Sequence, residues 1–447
     1  MKAVRYSLLS ILIFLLIFNL SVAQTDTSAV KADKIKTGWN FGALPAIAYD
    51  TDIGFKYGAL INLFYYGDGT NYPDYLHSLY FEWNRTTKGS GTWQFTYDSE
   101  YLIPGLRLSA EASYLTEQSL DFYGFNGYKS YYDPDLEDED SPEYISRMYY
   151  NMERKLARFK VDLQGKITGP QFRWLAGVEF NSAKTGTVDI EKLNKGKDDN
   201  ELLPDVPLLF DQYVDWGLIG EDEADGGTTT LLKAGAVYDT RDIEANPMKG
   251  IWTDLQFLVA PGFLGNGDFA YTRMALTHRQ YFTLAPQVLS FAYRLSYQTR
   301  LSGNMPFYML PFVYNTAPAL TRDGLGGAKT IRGILRNRVV GEGFVYGNLE
   351  LRWKILRTLV FNQNVYIALS GFLDGGMVTD KYDFESPTNT DAKDYLDLGE
   401  KESLHLGAGG GLHIVMNQNF VVAVDYGRAL NPGDGVSGLY IGLNFLY

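Results

Sequence analysis

The chain has 447 residues, 46 Gly, 33 Tyr, 26 Phe, no Cys and a formal net charge of −13. Without cysteine there is no disulfide framework, no lipoprotein acylation site and no thiolate catalysis or thiolate zinc site. The acidic balance repels a phosphate backbone and excludes nucleic acid as a partner.

At the start of the chain, Lys2 and Arg5 precede an apolar run from Leu8 to Leu20 and a small-residue exit at Ser21-Val22-Ala23. This predicts a secretory signal peptide over 1–23, cut before Gln24. A retained membrane anchor is the alternative, disfavoured because the run is short and a polar, Lys-bearing stretch follows it. Residues 24–38 read as a short periplasmic segment and 39–447 as one domain. Beyond the leader no apolar run reaches spanning-helix length, which leaves a secreted soluble protein or a membrane β-barrel.

Alternation predicts strands throughout. Ile251, Leu255, Phe257 and Val259 oppose Trp252, Asp254 and Gln256 at period two. Leu289, Phe291, Tyr293, Leu295 and Tyr297 likewise oppose Ser290, Ala292, Arg294, Ser296 and Gln298. At the end of the chain Leu439, Ile441, Leu443, Phe445 and Tyr447 are expected to share one face. Sixteen strands are expected, at 39–50, 53–67, 76–87, 91–103, 105–117, 145–167, 170–183, 228–239, 250–262, 268–284, 287–301, 343–358, 362–376, 402–417, 418–428 and 437–447.

A soluble β-sandwich also alternates, so the loops decide. The long connections, 118–144, 184–227, 302–342 and 377–401, all follow odd-numbered strands, whereas most connections after even-numbered strands are turns. That parity is expected of an all-β, 16-stranded antiparallel transmembrane β-barrel with short periplasmic turns and long external loops, and a sandwich gives no reason for it. The expected location is the outer membrane of a diderm bacterium, with both termini on the periplasmic side.

Arg332 then falls in the sixth external loop, within Thr330-Ile331-Arg332-Gly333-Ile334. If Val345, Leu349, Leu351 and Trp353 face lipid, Tyr346, Asn348, Glu350 and Arg352 face the lumen, and on the next strand Phe372 and Asp374 do the same. With the loop folded into the lumen, the planar Arg332 guanidinium would lie between Glu350 and Asp374, a pairing its fork suits better than an ammonium.

These residues resemble the BamA/TamA superfamily of outer-membrane barrels, also called the bacterial surface antigen family. Ile331-Arg332-Gly333-Ile334 resembles that family's sixth-loop motif, Leu349-Glu350 its acidic strand twelve, and Phe372-Leu373-Asp374-Gly375-Gly376 its Phe-x-Asp-x-Gly strand thirteen. Tyr238-Asp239-Thr240-Arg241-Asp242, followed by Asn246-Pro247 and Lys249-Gly250, resembles a mid-barrel turn, and Phe122-Tyr123-Gly124 an aromatic-glycine segment of the first half. The resemblance implies an ion-pair cluster of Arg332, Glu350 and Asp374 that holds a lumen plug, with Gly333 beside it and Ile331, Ile334, Phe372 and Gly376 as further motif positions. Ile334 stands where the family has an aromatic, so the stacking expected of that position does not carry over. The terminal Phe445 and Tyr447 look like the signal by which barrels are recognised for assembly, the plainer reading being aromatic-girdle residues. About fifteen residues lie between Gln24 and Trp39, too few for a POTRA repeat or a patatin-like passenger, so the chain resembles a barrel-only branch.

Other residue groups point nowhere sharper. His77, His278, His405 and His413 are scattered among strands and form no metal motif, no Gly-x-Ser-x-Gly elbow occurs, and no cofactor is expected. The acidic run Asp133, Asp135, Glu137, Asp138, Glu139 and Asp140 lies in the third external loop, either as solvated charge or as a divalent-cation bridge to lipopolysaccharide. The expected function is non-enzymatic: membrane biogenesis, lipid homeostasis or translocation through a lateral seam. That seam would be weak because Gly42 and Pro45 lie in strand one. A passive pore is the first alternative and an outer-membrane lipid enzyme the second. Expected partners are outer-membrane lipids and lipopolysaccharide, the barrel assembly machinery during biogenesis, and a second copy of the chain.

Overall fold

The computed structural model describes residues 33–50, 54–318, 323–383 and 389–447. The expected leader at 1–23 and residues 24–32 of the N-terminal segment lie outside the described residues. The unit considered below is Ile35–Tyr447.

Strands β1 (Trp39–Pro45) and β2 (Ala48–Asp50) both pair antiparallel with β3 (Gly54–Tyr65), so they are two halves of one crossing. The break follows Pro45, which has no N–H to give a ladder. From β3 the chain meanders through β4 (His77–Thr86), β5 (Gly91–Ile103), β6 (Leu106–Asp121), β7 (Asn151–Thr168), β8 (Phe172–Gly186), β9 (Gly226–Asp239), β10 (Gly250–Ala260), β11 (Tyr271–Ala285) and β12 (Leu289–Gly303). It continues through β13 (Gly343–Val360), β14 (Gln363–Asp380), β15 (His405–Met416), β16 (Phe420–Ala429) and β17 (Ser437–Leu443). Each strand pairs antiparallel with the next, and counting β1 and β2 once gives the sixteen crossings of a β-barrel.

The connections segregate by side as expected. One end carries short turns such as 104–105, 169–171, 286–288 and 361–362, and the other carries 122–150, 187–225, 304–342 and 381–404. Strand ends are less faithful to the sequence reading. β6 runs to Asp121 rather than ending at 117, because a bulge between Glu117 and Leu120 interrupts the alternation without ending the pairing, and Leu120 and Asp121 still oppose Met152 and Asn151. The segment 145–150, expected to be strand, is turns, closed by the Tyr149 N–H donating to the Ser146 carbonyl (3.0 Å) and that of Asn151 to Met148 (2.9 Å).

The two faces invert the pattern of a soluble protein. Phe159, Phe180, Phe257, Leu295, Leu349, Leu351, Trp353 and Leu369 are exposed on the outside, whereas Arg158, Lys160, Glu179, Asp254, Arg279 and Arg294 are buried within. A continuous exposed apolar belt of this kind belongs in hydrocarbon, with the polar side chains in the lumen. Among the described residues no helix is long and apolar enough to cross a membrane. The largest apolar core lies in the long external loops, where Phe122, Tyr123 and Phe125 pack with Tyr149, Tyr150, Phe210, Tyr213, Phe307, Phe312 and Tyr395. These loops form a packed dome over one mouth of the barrel.

Among the described residues no strand ladder joins β17 to β1 or β2. Side chains meet there instead: Leu443 and Phe420 cluster with Phe64 and Tyr66, and Leu44 and Leu60 pack against them. A Cβ on Gly42 would come within 2.2 Å of the Phe420 ring, so the absence of a side chain at 42 admits that ring to the seam.

Leu351 is 43 % exposed on the outer face of β13. Leu351→Arg is expected to lower the stability of vesicle-refolded protein by about 2–4 kcal/mol, read as a shift in the guanidinium unfolding midpoint. No shift would mean that this face does not meet lipid.

Candidate functional site

The site is built from one loop and the inner wall of the last strands. Between β12 and β13 the chain turns inward, and Thr330, Ile331, Arg332 and Ile334 are all buried. On the wall, Asn348 opposes Asp374 and Glu350 opposes Phe372, so Glu350 and Asp374 are diagonal neighbours on one face of the β13–β14 pair. Arg332 fills the space before them. Its Nε and Nη2 donate to the two oxygens of Asp374 at 2.8 and 3.1 Å, its backbone N–H donates to Asp374 Oδ2 at 3.1 Å, and its Nη1 donates to Glu350 Oε2 at 2.9 Å. The same Nη1 reaches Asp425 Oδ2 on β16 at 3.2 Å. Burial disfavours the Arg332 charge, but Glu350 and Asp374 more than offset this and hold its pKa above the ordinary arginine value.

The guanidinium carbon lies 3.4 Å from the centre of the Phe372 ring. The aromatic partner of Arg332 therefore comes from strand β14. Ile334 packs elsewhere, with Ile331, Val313, Leu325, Val339, Phe344, Tyr346, Val378 and Ala429, in a small core of its own. Gly376 admits this packing, since a Cβ there would lie 2.9 Å from Ile331 Cδ1.

Gly333 has φ +98, and a Cβ would lie 2.6 Å from the Arg428 backbone, so both conformation and space demand glycine. The wall is hollowed to match: a Cβ on Gly407 would meet the Arg332 carbonyl at 2.0 Å and one on Gly427 the Gly333 nitrogen at 2.6 Å. The Gly333 N–H donates to the Tyr440 hydroxyl on β17 at 3.0 Å. The loop thus bears on β13, β14, β16 and β17 together. Asp425, Gly407, Gly427 and Tyr440 were not singled out from sequence. The run Gly409-Gly410-Gly411 after Gly407 was the available signal, since glycines weaken a strand unless a backbone must approach it.

The end of the chain departs from expectation. β17 stops at Leu443, Asn444 adopts φ 69, and Phe445 and Tyr447 turn into the barrel instead of sharing the outer face of Leu439 and Ile441. Arg352 stands 4.4 Å from the Phe445 ring centre and donates to the Tyr447 carbonyl at 2.8 Å, and the Tyr447 hydroxyl donates to the Ala292 carbonyl at 3.1 Å. Leu443 is buried in the seam cluster rather than exposed to lipid. The left-handed Asn444 breaks the extended run, and buried arginines supply a donor for the terminal carbonyl and cations for the rings, which the outer face lacks. Arg352 also donates to Glu350 Oε1 at 2.6 Å, so one chain of contacts links Arg332, Glu350, Arg352 and the terminal residues.

The remaining sequence features are dispersed. Arg241 pairs with Asp239 at 2.6 Å in the turn after β9, and Phe122 and Tyr123 belong to the dome. His405 Nδ1 lies 2.6 Å from Asp434, and Tyr128 stacks on its ring at 3.8 Å. The acidic run provides the Asp133 cap of a short turn and a Glu139–Arg147 ion pair. Among the described residues no His, Asp or Glu group is arranged to hold a metal.

Sixteen antiparallel crossings with an outward apolar belt, a charged lumen and a loop bound to wall carboxylates make this a transmembrane β-barrel. The chain matches the Omp85 superfamily domain over residues 94–445, and it belongs to that superfamily. Among solved structures, it is similar to CdiB from Escherichia coli, at 11% identity and a TM-score of 0.51, over 91% of this chain and 61% of that one. It is also similar to BamA from Haemophilus ducreyi lacking POTRA domains 1-3, at 16% identity and a TM-score of 0.47, over 92% of this chain and 69% of that one. CdiB from Acinetobacter baumannii matches at 12% identity and a TM-score of 0.45, over 91% of this chain and 66% of that one. No curated protein matches. At such identities the likeness is one of fold.

Arg332→Ala removes the cation shared by Asp374, Glu350 and Asp425, of which Glu350 keeps Arg352, and should destabilise the loop by about 3–5 kcal/mol, the usual penalty for breaking a buried pair. Arg332→Lys should lose part of this because an ammonium cannot fork. The measurement is heat-modifiability on a gel with the unfolding midpoint. An unchanged midpoint in Arg332→Ala would sink the plug.

Proposed function

We propose that this protein is a non-enzymatic barrel of the bacterial outer membrane that acts in membrane biogenesis, lipid homeostasis or translocation through the seam between its first and last strands. The observation that carries this reading is the pairing of a loop locked by Arg332 against β13, β14 and β16 with a β1–β17 boundary that side chains close without a ladder. Membership of the Omp85 superfamily supports it. A seam lacking backbone hydrogen bonds opens at lower cost than any other strand boundary, because only side-chain packing resists separation. Outer-membrane lipids, including lipopolysaccharide, face the exposed belt, and the barrel assembly machinery is the partner during biogenesis. A second copy of the chain is a further candidate partner. In this reading Phe445 and Tyr447 serve as the assembly signal before they fold inward.

The seam has a direct test. Leu44→Cys with Leu443→Cys places a thiol on each side of the seam cluster. Oxidation is expected to abolish complementation of a deletion strain and reductant to restore it. Full activity of the oxidised, cross-linked barrel would remove the seam from the function.

A passive pore is the second reading, favoured by a charged lumen and by the width of a sixteen-stranded barrel. In planar bilayers the native protein is expected to show little steady conductance, and a variant lacking 304–342 to show a large one. Steady large conductance of the native protein would favour the pore over the plugged barrel.

A further inference from the structure

Most buried cations of the lumen have identified acceptors. Arg158 Nε donates to Glu111 at 3.2 Å, Lys233 pairs with Asp162 at 2.6 Å and Glu179 at 3.3 Å, Lys160 lies 3.6 Å from Asp162, and Arg279 pairs with Asp254 at 2.7 Å. Arg294, which has no carboxylate, still donates to Asn348 Oδ1 at 2.8 Å and to the carbonyls of Lys329 and Leu446. Arg273 on β11 is different. It is 1 % exposed, and none of its three guanidinium nitrogens has a hydrogen-bond partner among the described residues. Its ring neighbours are Tyr314 and Phe344, whose centres stand 5.5 and 5.3 Å from its guanidinium carbon, and Tyr271 and Glu342 act on it electrostatically without a hydrogen bond.

Two further donors nearby are also unsatisfied. Arg158 Nη1 and the Tyr314 hydroxyl are buried without hydrogen-bond partners among the described residues, and Glu179 and both guanidinium groups act electrostatically on that hydroxyl. Tyr314 is held in place by its backbone, which exchanges hydrogen bonds with the Gln298 side chain at 2.7 and 2.9 Å. On this wall Arg158, Lys160, Lys233 and Arg273 stand against Glu111, Asp162 and Glu179, and Glu342, which also acts on Arg273, is paired with Arg300, which leaves one positive charge in excess. A buried guanidinium stays charged at any ordinary pH, so the countercharge must be supplied. The four undescribed residues of the same loop, 319–322, are Ala, Leu, Thr and Arg and bring no carboxylate.

We propose that Arg273, Arg158 and Tyr314 form a binding site for a small inorganic anion beneath the dome. The anion accepts from the two guanidinium groups and the hydroxyl, neutralises the wall, and fastens the Tyr314 segment of the sixth loop to β7 and β11. The site shares no ion pair with the Arg332 cluster, and Phe344 stands between Arg273 and the small core of Ile331 and Ile334.

The test uses purified full-length protein crystallised from sodium bromide. An anomalous peak within hydrogen-bond distance of Arg273 and Tyr314 is expected. Water density at that point, or bromide only on the outer surface, overturns the proposal. A second measurement compares thermal unfolding in sodium chloride and sodium gluconate at equal ionic strength. The wild type should show a saturable upward shift in chloride that Arg273→Met lacks, and an equal response of the two proteins overturns the proposal. If Arg273→Met fails to fold, the bromide map of the wild type decides.

Discussion

Hydrocarbon around a sheet leaves no solvent for its backbone or its charges, and the architecture follows from that constraint. Backbone groups are satisfied strand to strand, apolar residues turn outward, and ionisable residues are driven into the lumen. Once inside, each charge needs a partner, because an unpaired ion in a dry interior is among the most expensive groups a fold can hold. Glu350, Asp374 and Asp425 are three such charges on one wall, and Arg332 answers them.

The answer comes from a loop rather than from a strand, and this is what gives the site its reach. A strand residue meets only its ladder neighbours, whereas Arg332 touches β13, β14 and β16 while Gly333 touches β17. The wall accommodates the loop by subtraction, with glycines at 407 and 427 where the loop backbone lies. From Glu350 the same network passes through Arg352 to Phe445 and Tyr447, so plug, last strands and chain end form one contiguous set of contacts. The boundary left without a ladder adjoins that set, and its residues Leu443 and Phe420 are carried by the same strands.

Much of this could be read in the chain. The period-two pattern of Leu289 to Gln298 assigns faces correctly, since lipid and lumen select opposite side chains at every step. Loop parity separated the two mouths, Glu350 and Asp374 were legible as lone charges on strongly alternating strands, and the family resemblance paired Arg332 of the loop with them. Asp425 was not legible, because Val424-Asp425-Tyr426 looks like any luminal polar position until β16 is known to face the loop. The bulge at Glu117–Leu120 hid the true length of β6 for a related reason, as alternation reports side-chain direction and not backbone pairing.

By itself, then, the sequence determined which residues of the strands before the last turn outward, how many times the chain crosses and which charges are forced inward, because these depend on local periodicity and on the solvent outside. The tertiary structure alone decided which charges meet, that Phe372 rather than residue 334 stacks on Arg332, that the chain end turns inward at Asn444, and that Arg273 has no acceptor among the described residues. Those outcomes depend on curvature bringing distant strands and a folded loop to one point, and no local pattern encodes that distance.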